Sequence, residues 1–214
     1  MKSFALPRAL VVALAVPAFV ACSHTQTTSL ANGEIAPAMD IETVPISTSE
    51  SEMLRRMTDA NRIGHLAMND SVEVVMAQMT EKRSKNDDVL NYARQMDVDH
   101  NTSLMAERNL AKTTGLGINT MTTELKLSHM GPMVDSIGPQ ISEVTFDRNY
   151  ILAAVQMHTH MLGELQELQS SARNQALRDH IAATIPVVQA HLNRAREIAH
   201  KYDWASKKKL HLKP

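Results

Sequence analysis

Residues 87–104 read DDVLNYARQMDVDHNTSL. Val89, Tyr92, Met96, His100 and Leu104 recur at three- and four-residue steps, the spacing that places side chains on one face of an α-helix. Asn86 or Asp87 can cap its start, and Gly115 supplies a stop. A stripe of this length has to be buried against other helices. His100 stands in it where an apolar residue belongs, and a polar group carried inside needs a partner there.

Upstream, the same period predicts a helix from Asp59 to about Lys82, capped by Thr58 or Asp59, with Ile63, Leu66, Glu73, Met76 and Thr80 near one face. Asn69 and Asp70 interrupt that face and predict a bend. Glu52 to Met57 can add a leading turn. Lys85-Asn86-Asp87 is too short to be anything but a tight connection, so these two helices run antiparallel.

Downstream, Gly117, Gly131-Pro132 and Gly138-Pro139 punctuate the stretch from Gly115 to Thr145, leaving one short helical piece at about Thr122 to Met130. That stretch reads as a crossover. A third helix is predicted from a cap at Asp147, with Ile151, Val155, His158, Leu162 and Leu165 inward. After a turn near Asn174, a fourth carries Ile181, Ile185, Val188, His191, Ala195 and Ile198, with a kink expected at Pro186. Hairpin, long crossover, hairpin is the connectivity of ferritin-like bundles. The predicted fold class is therefore all-α, a ferritin-like four-helix bundle with two antiparallel hairpins and a long crossover between helices two and three. Composition agrees: aromatic residues are 3% of the chain, with only 7 glycines and abundant Ala, Leu, Met, Gln and Glu.

Residues 1–22 read as a signal peptide: Lys2 and Arg8, then an apolar run from Ala9 to Val20 too short to span a bilayer. Its end, Phe19-Val20-Ala21-Cys22, is similar to a lipobox, which makes the sole cysteine, Cys22, the expected lipidation site. The expected partner is a membrane, reached through this N-terminal lipid anchor, and the expected location is the periplasm, at the outer membrane. Cleavage after Ser23 is the alternative and would leave a soluble periplasmic protein. Residues 23–50, rich in Thr, Ser and Pro, read as a flexible linker, 51–204 as the ferritin-like helical domain and 205–214, with Lys207, Lys208 and Lys209, as a basic tail. A formal charge of -1 gives no electrostatic reason for nucleic-acid binding. No glycine-rich nucleophile elbow or phosphate loop is present, and the lone cysteine lies in the leader.

Four polar residues, Glu73, His100, His158 and His191, each occupy an inward position on a different helix. A single inward histidine is commonly a neutral imidazole satisfied by a backbone carbonyl or by a tyrosine such as Tyr92 or Tyr150. Four on four helices point to metal ligands. At 1.5 Å rise per residue, Glu73 and His100 lie roughly 18 and 22 Å from their shared turn, and His158 and His191 roughly 22 and 28 Å from theirs. Each pair therefore matches to about one helical turn. Imidazole and carboxylate donors suit Zn, Fe, Mn or Cu, not Ca or Mg. Asp97, three residues before His100, is an extra ligand or a hydrogen-bond acceptor behind one. Helix four has Val188 where a second such acid would stand, so one ion fits better than two. Met76, Met96, Met157 and Met161 can either fill the core or join a Cu(I) site. His160 falls across the helix from His158, among Gln156, Glu164 and Glu167, and is expected to face solvent. His65, His129, His180 and His200 have no claim to the core.

The stretch from Ala67 to His100, with Glu73-Val74, Val89, Tyr92-Ala93-Arg94-Gln95-Met96 and Asp99-His100, resembles the first half of the bacterial family catalogued as domain of unknown function forty-one forty-two. Phe146-Asp147, Tyr150, His158, Ile185-Pro186 and His191-Leu192 are similar to its second half, and the resemblance covers roughly Ser51 to Ala199. It implies an exported outer-membrane or periplasmic protein with a ferritin-like helical fold and no agreed activity. It also implies that Glu73, His100, His158 and His191 occupy the family's recurrent polar positions, while Asp97 departs from the apolar residue expected there. Two functions follow: metal binding, sensing or slow redox protection at a mononuclear site, or a metal-free structural or envelope-stress adaptor with a buried His/Glu hydrogen-bond network.

Overall fold

The computed structural model describes residues 46–119 and 142–204. Among these the chain is all-α and has no strand. The helices are α1 (Thr48–Arg56), α2 (Asp59–Arg83), α3 (Asp87–Thr114), α4 (Glu143–Ser171) and α5 (Gln175–Lys201). The leader with Cys22, the predicted helical piece at 122–130 and the 205–214 tail lie outside the described residues.

Each helix begins where a short polar side chain takes up an otherwise unpaired backbone N–H. Ser47 accepts from Glu50 N, Thr58 from Asn61 N, Asn86 from Asp88 N and Val89 N, Ser142 from Thr145 N, and Asn174 from Leu177 N. The predicted cap at Asp147 is corrected. Ser142 caps α4 one turn earlier, and Asp147 is buried inside the helix beside Ser84. Helix α1 begins at Thr48 and so takes in residues assigned above to the linker. Helix α2 runs on through Asn69 and Asp70, and α5 runs on through Pro186.

Asp59 does more than start α2. Its carboxylate accepts from Arg62 Nη1 at 2.7 Å and from the backbone of Arg173 and Asn174, tying α2 to the α4–α5 turn. Gly115 closes α3 at φ 70°, in the left-handed region. The chain beyond it lies on the start of α2, with Asn119 N donating to Ala60 O at 3.2 Å. Gly64 permits this approach, since a Cβ there would lie 1.8 Å from Asn119 O.

Helix α2 packs on α3 and α4 on α5, with further contacts of α3 with α5, α2 with α4, and α1 with α4. The apolar core is split. One cluster contains Met76, Tyr92, Met96, Phe146, Tyr150, Ile151, Leu192 and Ile198. The other contains Leu54, Ile63, Leu66, Leu165, Leu168, Leu177 and Ile181. On every long helix the buried polar residues Asp70 and Glu73, His100, His158 and His191 fall in sequence between the members of one cluster and those of the other. The bundle therefore carries a polar layer between two apolar ones.

Candidate metal centre

Three of the predicted residues meet in that layer. His100, His158 and His191 are 7%, 2% and 2% exposed, and each offers a donor nitrogen within 4.8 Å of the other two. The ring centroids are 5.9 Å apart for His100 and His158, and 5.3 Å apart for each of the other two pairs.

The second nitrogen of every ring is held. His100 Nδ1–H donates to Asp70 Oδ1, His191 Nε2–H to Asp99 Oδ2 and His158 Nδ1–H to the Ala154 carbonyl, each at 2.8 Å. These acceptors have no proton to give, so they set the tautomers. What remains is His100 Nε2, His158 Nε2 and His191 Nδ1, all buried and all without a hydrogen-bond partner. Buried polar atoms are normally paired, and an unpaired one costs about 1–3 kcal/mol. Three orphaned lone pairs in one place, with carboxylates or a carbonyl behind their rings, form the arrangement in which imidazoles hold a transition metal. Two nitrogens bound to one ion at about 2.0–2.1 Å lie roughly 3.3 Å apart, inside the 4.8 Å envelope.

Glu73, 6% exposed, is not one of the mutually close donors but lies within electrostatic reach of His100 and His191. Burial raises its pKa, and those imidazoles partly offset the rise. Burial and the charge on His100 push His158 down to about 4. Burial and the neighbouring His158 push His191 down to about 4 as well, against the opposing bond from Asp99. Burial disfavours charge on His100 too, but there the Asp70 hydrogen bond and the charges of Glu73, Asp70 and Asp99 win, and its pKa is raised.

Asp97 is elsewhere. Its carboxylate accepts from Gln78 Nε2 at 3.0 Å and Asn101 Nδ2 at 3.1 Å. The acids that touch the imidazoles are Asp70 and Asp99, neither of which was expected from the sequence as a partner of the histidines. Asp70 had a visible signal: with Ile63, Leu66, Glu73, Ala77 and Thr80 it continues the three- and four-residue spacing of α2. Asp99 had none, because it is only half-buried and reaches His191 across the α3–α5 interface. Met76, Met96 and Met157 pack with one apolar cluster and Met161 with the other.

Two expectations about the remaining histidines are corrected. His65 is 1% exposed and its Nε2–H donates to Glu164 Oε1 at 3.1 Å. His160 is half-buried, and Glu164 beside it is fully buried. The cause is α1, which covers the face of α4 expected to meet solvent and is fastened there by Arg55 to Glu167 at 2.7 and 3.0 Å. His180 is partly buried near Glu107, whereas His200 is exposed, as expected. His129 lies outside the described residues.

A helical bundle with a polar histidine layer between two apolar clusters is the class that this fold and site define. The family model described as Domain of unknown function (DUF4142) matches residues 44–198, from just before α1 to near the end of α5, and the chain belongs to that family. No curated protein and no solved structure matches the chain.

Proposed function

We propose that this chain is an exported, ferritin-like four-helix bundle that binds one transition-metal ion through His100, His158 and His191. The observation that carries the proposal is the set of three buried imidazole nitrogens without partners, each on a ring whose other nitrogen is already bound. Glu73 supplies the adjacent carboxylate. Asp70 and Asp99 orient two of the rings and make them stronger donors. Nitrogen donors with one nearby acid favour Zn, Fe, Mn or Cu. When bound, such an ion supplies Lewis acidity or, for Fe, Mn and Cu, one-electron chemistry, which suits metal sensing or slow redox protection. The protein's own part is to hold the donors dry and fixed.

The ferritin-like topology is supported by the order in which the helices meet the two apolar clusters. Helices α3 and α4 begin in the Tyr92–Tyr150 cluster and end toward the Leu165–Leu177 cluster, while α2 and α5 run the opposite way. Two antiparallel hairpins joined by a full-length crossover have that order. Placement in the periplasm through a lipid on Cys22 belongs to the same proposal and rests on the leader sequence alone.

The test is metal analysis and zinc titration of protein purified without an affinity tag. The expected result is a bound equivalent that is lost in a His100→Ala, His191→Ala double variant. Metal content indifferent to that double change would overturn the reading. It would leave the metal-free adaptor, which the bonds to Asp70, Asp99 and Ala154 favour because they already satisfy one nitrogen of each ring.

A further inference from the structure

We propose a second divalent-cation site, built from Glu50, His160 and Glu164 and backed by His65, that clamps α1 onto the bundle. Its donors are separate from the three-histidine centre and come from two helices, with His65 on a third holding Glu164 in place. Glu50 stands in the first turn of α1, His65 on α2, and His160 and Glu164 one turn apart on α4. Donor atoms of Glu50, His160 and Glu164 all lie within 4.8 Å of one another. His160 Nε2 is 2.9 Å from Glu50 Oε1 and 3.7 Å from Glu164 Oε1. His65 Nε2 approaches that same Glu164 oxygen at 3.1 Å.

Two imidazoles therefore aim their Nε2 atoms at a single carboxylate oxygen, and one of them also reaches a second carboxylate. The Glu164 and His65 side chains are 0% and 1% exposed, so this end of the cluster is held away from water. The other half of the cluster is open. His160 and Glu50 side chains are 37% and 25% exposed, giving an ion a route to the buried pair. One imidazole nitrogen and two carboxylate oxygens, with a position left for water, are a donor set for zinc or a similar borderline ion rather than for calcium or magnesium.

The fold brings Glu50 over His160 by a close approach. Gly163 lies between His160 and Glu164, and a Cβ there would be 3.2 Å from Ile46 Cγ2, just ahead of α1. The absent side chain lets the chain entering α1 lie against α4. An ion held by Glu50 on one side and by His160 and Glu164 on the other joins α1 to α4, and the His65 bond to Glu164 ties that point to α2. The leading helix, which follows the Ser-, Thr- and Pro-rich N-terminal stretch, is then held more firmly when the ion is present.

The experiment is titration of the full chain with Zn(II), and with Co(II) for its ligand-field spectrum, followed by hydrogen exchange across Thr48–Arg56. The expected result is two equivalents in the unaltered protein. One is lost in His160→Ala and Glu50→Gln, which alter only the half-exposed donors and leave the buried pair in place. That same equivalent persists in the His100→Ala, His191→Ala double variant, so failure here and failure of the three-histidine centre are separable. Zinc should slow exchange in α1 in the unaltered chain and in the double variant, but not in His160→Ala. Gly163→Ala, which removes no donor, should weaken this equivalent alone. Absence of a second equivalent, or one unaffected by both His160→Ala and Glu50→Gln, would overturn the proposal. So would α1 exchange that changes in His160→Ala without any dependence on zinc, which is the mark of a plain ion pair.

Discussion

Replacing His158 with leucine should change sign in its effect on stability according to whether metal is present. His158 is 2% exposed, beside the His100 and His191 rings and between the two apolar clusters, so leucine fits the site approximately in size. Without an ion the imidazole leaves Nε2 buried and unpaired, a cost of about 1–3 kcal/mol, while its Nδ1–H bond to Ala154 returns about 0.5–1.5 kcal/mol. In chelator the leucine variant is therefore expected to be between equal to the parent and about 2 kcal/mol more stable. With free zinc at roughly one hundred times its dissociation constant, the parent gains about 2.7 kcal/mol and the variant gains none from this site. For a chain of this size that is a rise of roughly 5–11 °C in the parent's Tm. Both proteins are measured in a His160→Ala background, so that the Glu50 cluster contributes nothing, by thermal and urea unfolding followed by circular dichroism. A variant more than about 2 kcal/mol less stable than its parent in chelator, together with a parent whose Tm ignores zinc, would refute the reasoning. The imidazole would then be a structural hydrogen-bonding group.

Asp70→Asn keeps an acceptor for His100 Nδ1–H but removes the charge, and zinc affinity measured by competition with a chromophoric chelator should fall about 10–100-fold. Asp97→Asn, whose carboxylate is turned to Gln78 and Asn101, should leave that affinity unchanged in the same assay. Glu107→Gln should become increasingly stabilising as pH rises. Burial, together with the nearby charge of Asp70, pushes the Glu107 carboxyl up to about 10, so the fold binds a proton that the unfolded chain releases above its ordinary value near 4.5. The parent then loses stability as pH rises from about 4.5 to 10 and glutamine does not. Urea unfolding at several pH values across that window checks it, and a constant difference would contradict it. Gly64→Ala should destabilise by about 1–3 kcal/mol or displace residues 116–119 from α2, because the new Cβ collides with Asn119 O. Denaturant midpoints and proteolysis near Asn119 distinguish those two results.

The pairing of acids with histidines gives the layer its character. Asp70 and Asp99 sit behind His100 and His191, where a short carboxylate reaches the outer nitrogen of a ring and holds its inner nitrogen toward the cluster. His158 is held by its own helix, since the Ala154 carbonyl lies one turn back. The rings are thus oriented before any ion arrives, which lowers the ordering cost of binding. Tyr92 and Tyr150 meet edge-on at 6.0 Å within the apolar cluster beside this layer. Tyr92 makes no hydrogen bond through its hydroxyl, so it does not satisfy the imidazoles as a metal-free reading of the sequence would have it.

The sequence by itself determined the helices, because helix period, capping side chains and stop signals are local. Thr58, Asn86, Gly115 and Asn174 end or begin their helices as their chemistry dictates. It also determined that Glu73, His100, His158 and His191 are buried, since each occupies a stripe that must face inward. Only the tertiary structure decided which acids meet which histidines. Asp99 rather than Asp97 reaches His191 because α3 and α5 are in contact along that side, and helix spacing along one chain cannot rank two acids by their distance to a neighbouring helix. The burial of His65 and Glu164 likewise depends on α1 and α4 closing over them. A helix touched from two sides has two buried faces, and a single-stripe reading finds only one.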